Sequence, residues 1–126
     1  MSNLNLLSGA IIDAAFHIHV KLGPGLLESV YHRILARDLI RRGYFVESKK
    51  PISFEYEGLW LEDAFRPDLI VERCVVVEIK SVSAFTAVHE KQLITYLKIL
   101  DCRLGLLINF NTALIRDGIK RVVNRI

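Results

Sequence analysis

Pro67-Asp68-Leu69-Ile70-Val71-Glu72-Arg73-Cys74-Val75-Val76-Val77-Glu78-Ile79-Lys80 is the stretch that decides the fold. Leu69-Ile70-Val71 and Val75-Val76-Val77 are apolar and rich in β-branched residues, and Glu72-Arg73-Cys74 separates them. The pattern predicts a hairpin of two buried strands. Buried strands carry Asp, Glu and Lys together only where the charges are paired or bind something. Side chains alternate along a strand, so Glu78 and Lys80 share one face and Ile79 points to the other. If the two strands pair, Asp68 lies beside Glu78, and two carboxylates converge with one amine. Two carboxylates at oxygen-ligand distance suit a hard divalent cation such as Mg²⁺. An adjacent Lys can position or deprotonate a water, or neutralise charge on a phosphate. The plainer alternative makes Asp68 a turn residue after Pro67 and Glu78 with Lys80 a cross-strand salt bridge.

Outward from the hairpin, helices and strands can be placed by period. Leu7 to Leu22 has helical spacing through Ile11, Ile12, Ala15, Phe16 and Ile18, and Gly23-Pro24-Gly25 stops it. A second helix is expected from about Leu26 to Arg42, on the stripe Leu27, Val30, Tyr31, Ile34, Leu35 and Leu39, with Gly43 closing it. Tyr44-Phe45-Val46 reads as a strand. Ile52, Phe54 and Tyr56 alternate with polar neighbours, and Gly58 turns into Leu59-Trp60-Leu61. Thr86 to Leu100 returns to helical spacing, and Leu104 to Phe110 is a continuous apolar strand, central in a sheet. Asp117-Gly118 predicts a turn with a short strand on each side. Helices, strands, a further helix and further strands in this order predict an α/β (α+β mixed) domain, a mixed sheet flanked by helices.

The chain has 126 residues, the size of one domain with a sizeable core, and 1–126 is expected to fold as one. Its hydrophobic fraction is 52% and its mean hydropathy +0.31, yet no apolar run approaches the roughly 20 residues that span a bilayer. The first residues lack the basic segment of a secretory signal, so a cytoplasmic location and no membrane partner are expected. Cys74 and Cys102 lack metal-ligand spacing and are expected as reduced core residues. A net charge of +3 and an isoelectric point of about 9.0 are compatible with a polyanionic partner.

Gly25-Leu26-Leu27-Glu28-Ser29-Val30-Tyr31 is a literal GxxExxY motif, followed in order by Pro67-Asp68, Glu78-Ile79-Lys80 and Gln92-Leu93-Ile94-Thr95-Tyr96. With these four motifs the chain resembles the GxxExxY family, a branch of the PD-(D/E)XK nuclease-like superfamily. The resemblance runs from about Leu6 to Asn109-Phe110. It implies a restriction-endonuclease-like core, a central mixed sheet with helices on both sides. It also implies a nuclease that cuts DNA or RNA with Mg²⁺ or Mn²⁺. Asp68, Glu78 and Glu28 would be the metal-binding side chains, helped by the carbonyl of Ile79. Lys80 would orient the attacking water, and Gln92 and Tyr96 would fix the phosphate or the carboxylates. The alternative is a catalytically inactive module on the same fold that binds nucleic acid or a protein. A homodimer and a targeting partner protein are both compatible with the sequence.

The remaining candidates divide between surface and site. Glu28 in the first helical turn is also what a helix dipole favours at a surface. Tyr31, three residues on, either bonds a site carboxylate or packs in the core. Gln92 and Tyr96 are spaced i,i+4 and project the same way. His17, His19, His32 and His89 have no partner at metal-ligand spacing and read as structural. Arg33, Arg37 and Arg41 form a basic stripe on the Glu28 helix, either a solvated face or a track for phosphates. Arg66 is a phosphate contact or an edge charge. Arg116, Lys120, Arg121 and Arg125 form a second basic cluster. Trp60 and Phe85 could stack on bases, but burial is expected for both.

Overall fold

The computed structural model describes residues 3–125. Two helices come first, Leu4–Leu22 (α1) and Glu28–Arg41 (α2). Strands Val46–Ser48 (β1), Ile52–Tyr56 (β2), Leu59–Phe65 (β3), Leu69–Val71 (β4) and Val75–Lys80 (β5) follow. Helix Ala87–Leu100 (α3), strand Leu104–Asn109 (β6), a 3₁₀ turn over Ile115–Gly118 and strand Ile119–Val123 (β7) complete the order. Among the described residues no helix is long and apolar enough to cross a membrane.

Capping chemistry sets the helix ends. The Asn3 side chain accepts from the Leu6 amide at the start of α1. Gly23 ends that helix at φ 73, a conformation that favours glycine. Thr86 and His89 form a reciprocal cap at the start of α3, with the Thr86 amide donating to His89 Nδ1 at 3.1 Å. His89 is therefore a capping residue.

The main sheet has the order β1-β4-β5-β6-β7. The β5–β6 pair is parallel and the others antiparallel, the mixed sheet that was expected. β4 and β5 form the predicted hairpin in the register Leu69↔Val77, Ile70↔Val76 and Val71↔Val75. Helices cover both faces. Ile11, Ile18, Leu35 and Leu39 of α1 and α2 pack over Val75, Val77, Ile79, Leu106 and Ile108. Leu93 and Leu97 of α3 pack over Val76, Leu107 and Val122 on the other side. Gly105 makes that second contact close: a Cβ there would stand 2.8 Å from Leu93 Cγ. Among the described residues β2 and β3 pair only with each other and form a separate two-stranded arm. Alternation along β5 then sends Val76, Glu78 and Lys80 to the α3 face.

Several expectations need correction. β1 begins at Val46, not Tyr44. The Tyr44 amide still bonds the Leu39 carbonyl at the exit of α2, and the Phe45 amide is taken by the Glu72 carboxylate. β3 extends to Phe65, beyond Leu61. Among the described residues no hairpin turns at Asp117-Gly118, because both lie inside the 3₁₀ turn and β7 pairs with β6. Trp60, expected to be buried, is 60% exposed on the arm. The second basic cluster is divided: Lys120 pairs with Glu90 of α3, whereas Arg121 donates to Ser8 and Asn5 of α1. Cys102 is buried, and no disulfide links it to Cys74.

Candidate active site

Where β4 and β5 run out of their pairing register, backbone and side chains lock two carboxylates together. The Asp68 amide donates to Glu78 Oε2 at 2.7 Å, and the Ile79 amide donates to Asp68 Oδ2 at 2.8 Å. Each carboxylate thus accepts from the backbone of the other's strand. Asp68 is 9% exposed and Glu78 6%. The Lys80 carbonyl accepts from Phe110 on the β6 side. By strand alternation the Ile79 carbonyl points the other way, toward Asp68.

The electrostatics follow from this geometry. Burial first, and then the Asp68 carboxylate, push the Glu78 carboxyl up to about 7; the Asp68 amide, Lys80 and Lys49 oppose the shift. The ion pair at Asp68 is made by Lys49, with Nζ 2.5 Å from Oδ1. That bond raises the Lys49 amine above its ordinary value, against a partial desolvation. Lys80 is half-buried, on the same face as Glu78, and its charge is felt there.

Glu28 reaches the end of β5 from the first turn of α2, where its Oε1 accepts from the Ser81 amide at 3.1 Å. Ser81 Oγ donates to the Leu26 carbonyl at 3.0 Å, a second latch between the same segments. Among the described residues Tyr31 bonds no carboxylate. Its hydroxyl donates to the Gly23 carbonyl at 2.6 Å and accepts from the Leu26 amide, while its ring stacks on Phe110 at 4.3 Å. It holds the Gly23–Leu26 turn in place and so sets the approach of Glu28. On α3, Tyr96 stacks on Phe65 of the arm at 4.3 Å, with Gln92 beside its hydroxyl. Burial, then Glu78 and Asp68, raise the Tyr96 phenol, which places this ring in the field of both carboxylates.

Arg66 is held by Asp63 through two hydrogen bonds of 2.9 and 2.6 Å. Arg33 and Arg37 line an exposed groove of α2 with Val30 and Ile34, and Arg37 pairs with Asp38 at 3.3 Å. Arg41 is exposed at the far end of the same helix.

Three residues of the site were not singled out for it from sequence. Lys49 lies 19 residues before Asp68, across the whole arm, and nothing local marks it. His32, which sequence gave a structural role, donates through Nε2 to the Asp68 carbonyl at 3.0 Å. Asn109 accepts from the Val82 amide and donates to the Val82 carbonyl, tying down the loop after Lys80. Its signal was legible: a carboxamide ending an otherwise apolar strand must find buried partners.

The family model of the PD-(D/E)XK nuclease superfamily matches residues 5–122. The chain belongs to the PD-(D/E)XK nuclease superfamily. No curated protein and no solved structure gives a significant match. Pro67-Asp68 immediately precedes β4 and Glu78-Ile79-Lys80 ends β5, so the antiparallel pairing of these strands brings the two acids side by side. Membership implies a nucleic-acid substrate, and nucleases of this superfamily generally depend on a divalent metal. Among the described residues no three His, Cys, Asp or Glu side chains form a ready metal cluster. The donors that do converge are Asp68 and Glu78. They fit a hard cation, being oxygen ligands in a buried pair where burial and then the neighbouring carboxylate push Glu78 up to about 7.

Proposed function

We propose that this chain is a divalent-metal-dependent nuclease of the GxxExxY type, hydrolysing phosphodiester bonds in DNA or RNA. The observation that supports this best is the reciprocal clasp of Asp68 and Glu78 beside Lys80. Asp68, Glu78 and the Ile79 carbonyl would hold Mg²⁺ or Mn²⁺, with Glu28 approaching from α2. Mg²⁺ keeps several waters, so an incomplete set of protein ligands is what such a site needs. When bound, the ion supplies polarisation of the phosphate and a more acidic water.

The chain's own residues do the rest. Lys80, on the Glu78 face, orients the attacking water and stabilises the negative charge that develops on phosphate. Tyr96 and Gln92 wall the site from α3 and offer hydroxyl and amide groups to a phosphate oxygen. Arg33, Arg37 and Arg41 extend the positive surface along α2, and Arg66 borders the arm. With no base-reading element assigned, binding is dominated by the backbone, and a partner protein would add specificity.

The test is a cleavage assay with single- and double-stranded DNA and RNA, with Mg²⁺, with Mn²⁺ and with chelator. Metal-dependent cleavage is expected, and Lys80→Ala loses it by roughly a hundredfold or more while its circular dichroism and melting stay near wild type. No cleavage across the panel leaves the binding-module alternative. Equal activity in the Lys80→Ala protein would point to a contaminant.

A further inference from the structure

Asp68 has its polar atoms occupied, and only one of its partners is free to leave. The Asp68 amide goes to Glu78, and Oδ2 takes the Ile79 amide. The carbonyl takes His32 Nε2 and the Lys49 amide, at 3.0 and 3.1 Å. These are backbone groups or side chains that are at least half-buried. Oδ1 is different: it is held by the Lys49 ammonium, on a side chain that is 56% exposed. An unbranched chain with water at its end can swing away and return. The Lys49 backbone cannot, because its amide is bonded to the Pro67 and Asp68 carbonyls. The amine is thus tethered within reach of one carboxylate oxygen and is also near enough to Glu78 and Glu28 for both to raise its proton affinity.

We infer that Lys49 is the displaceable counter-ion of the active site: it neutralises Asp68 in the metal-free protein, is expelled when a divalent cation takes Oδ1, and so sets the affinity for that cation. This rests on the metal-dependent reading proposed above. Two cations on one carboxylate oxygen repel each other at contact distance, and a divalent ion attracts that oxygen more strongly than a single ammonium does. Lys49 therefore weakens metal binding while it protects the two carboxylates from each other. Lys50, the next residue, pairs with Glu47 at 2.9 Å and serves as a neighbouring control.

The experiment is a calorimetric titration with Mg²⁺ at about pH 8.5 of wild type, Lys49→Met and Lys50→Met. Removing the competing charge is expected to tighten Mg²⁺ binding roughly tenfold in Lys49→Met. The same variant melts at lower temperature without metal and regains that loss on adding Mg²⁺. Lys50→Met matches wild type in both. Should Lys49→Met fail to fold, NMR of the lysine ammonium groups in the wild-type protein gives the same information. The Lys49 signal should shift on adding Mg²⁺ together with the Asp68 carboxyl carbon. Mg²⁺ bound by wild type with equal or higher affinity than by Lys49→Met, or a Lys49 signal that stays put while Asp68 shifts, overturns the role of Lys49 and leaves the metal site standing. No Mg²⁺ binding by either protein overturns the metal-dependent reading itself.

Discussion

At Glu78, burial and a neighbouring carboxylate act in the same direction, and the consequence is measurable without any substrate. The folded protein holds a proton there up to about 7, whereas the unfolded chain releases it near 4.5. Between those values the folded state binds more protons, so stability falls as pH rises and levels off above about 7. The Asp68–Glu78 pair titrates as a unit, and the loss should be on the order of 1–3 kcal/mol. Chemical denaturation of the metal-free protein across this range should show that decline, and Glu78→Gln should show a flatter profile. Parallel profiles for the two proteins would mean that Glu78 is not strained by its surroundings. Asp68 and Glu78 were legible as residues because acids bordering runs of Val, Ile and Leu need a reason. Lys49 was not, because its role depends on the arm folding back over 19 residues, a long-range event that local pattern cannot encode.

Among the elements, α3 and the sheet meet closely at Gly105, under Leu93. Both residues are buried, so a methyl group at 105 must displace the Leu93 side chain and is expected to shift the helix that carries it. Gly105→Ala should destabilise the fold by about 1–3 kcal/mol. The same shift moves Tyr96 off the Phe65 ring and should lower cleavage more than stability alone explains. A double-perturbation check is available: Leu93→Ala in the Gly105→Ala background makes room and should recover part of the activity. No recovery, with the fold intact, would show that α3 position does not matter to the site. Sequence placed the strong elements well, because α2, α3, β5 and β6 have unmistakable period or composition. It failed at β1 and at the terminal hairpin. Tyr44 looks like a strand residue but is held by the exit of α2, and Asp117-Gly118 lie inside a 3₁₀ turn where a side chain at 118 would strike the Asn109 carbonyl. Trp60 was misplaced for a related reason. Aromatic residues in alternating strands are normally covered, and here the arm stands apart from the sheet that would cover it.

For the whole molecule, the charge distribution makes a separate prediction. Arg33, Arg37 and Arg41 run along α2 away from Glu28, roughly 7 to 20 Å down the helix axis from it. A nucleic acid laid across the site and along this helix would release counterions at each phosphate contact. Log affinity should fall with log salt by roughly 0.9 per contact on duplex DNA, and replacing Arg37 and Arg41 together should reduce that slope by somewhat under two. An unchanged slope would assign the stripe to solvent or to a partner protein, and loss of a complex in pull-down with the same variant would select the partner. The nuclease reading depends on Asp68 and Glu78 forming a cation site, and one measurement addresses that directly. Crystals grown with Mn²⁺ should give an anomalous peak between the Asp68 and Glu78 carboxylates, against the Ile79 carbonyl, with Lys49 swung away from Oδ1. No peak at saturating Mn²⁺, or a peak that leaves Asp68 and Glu78 unligated, would contradict the account.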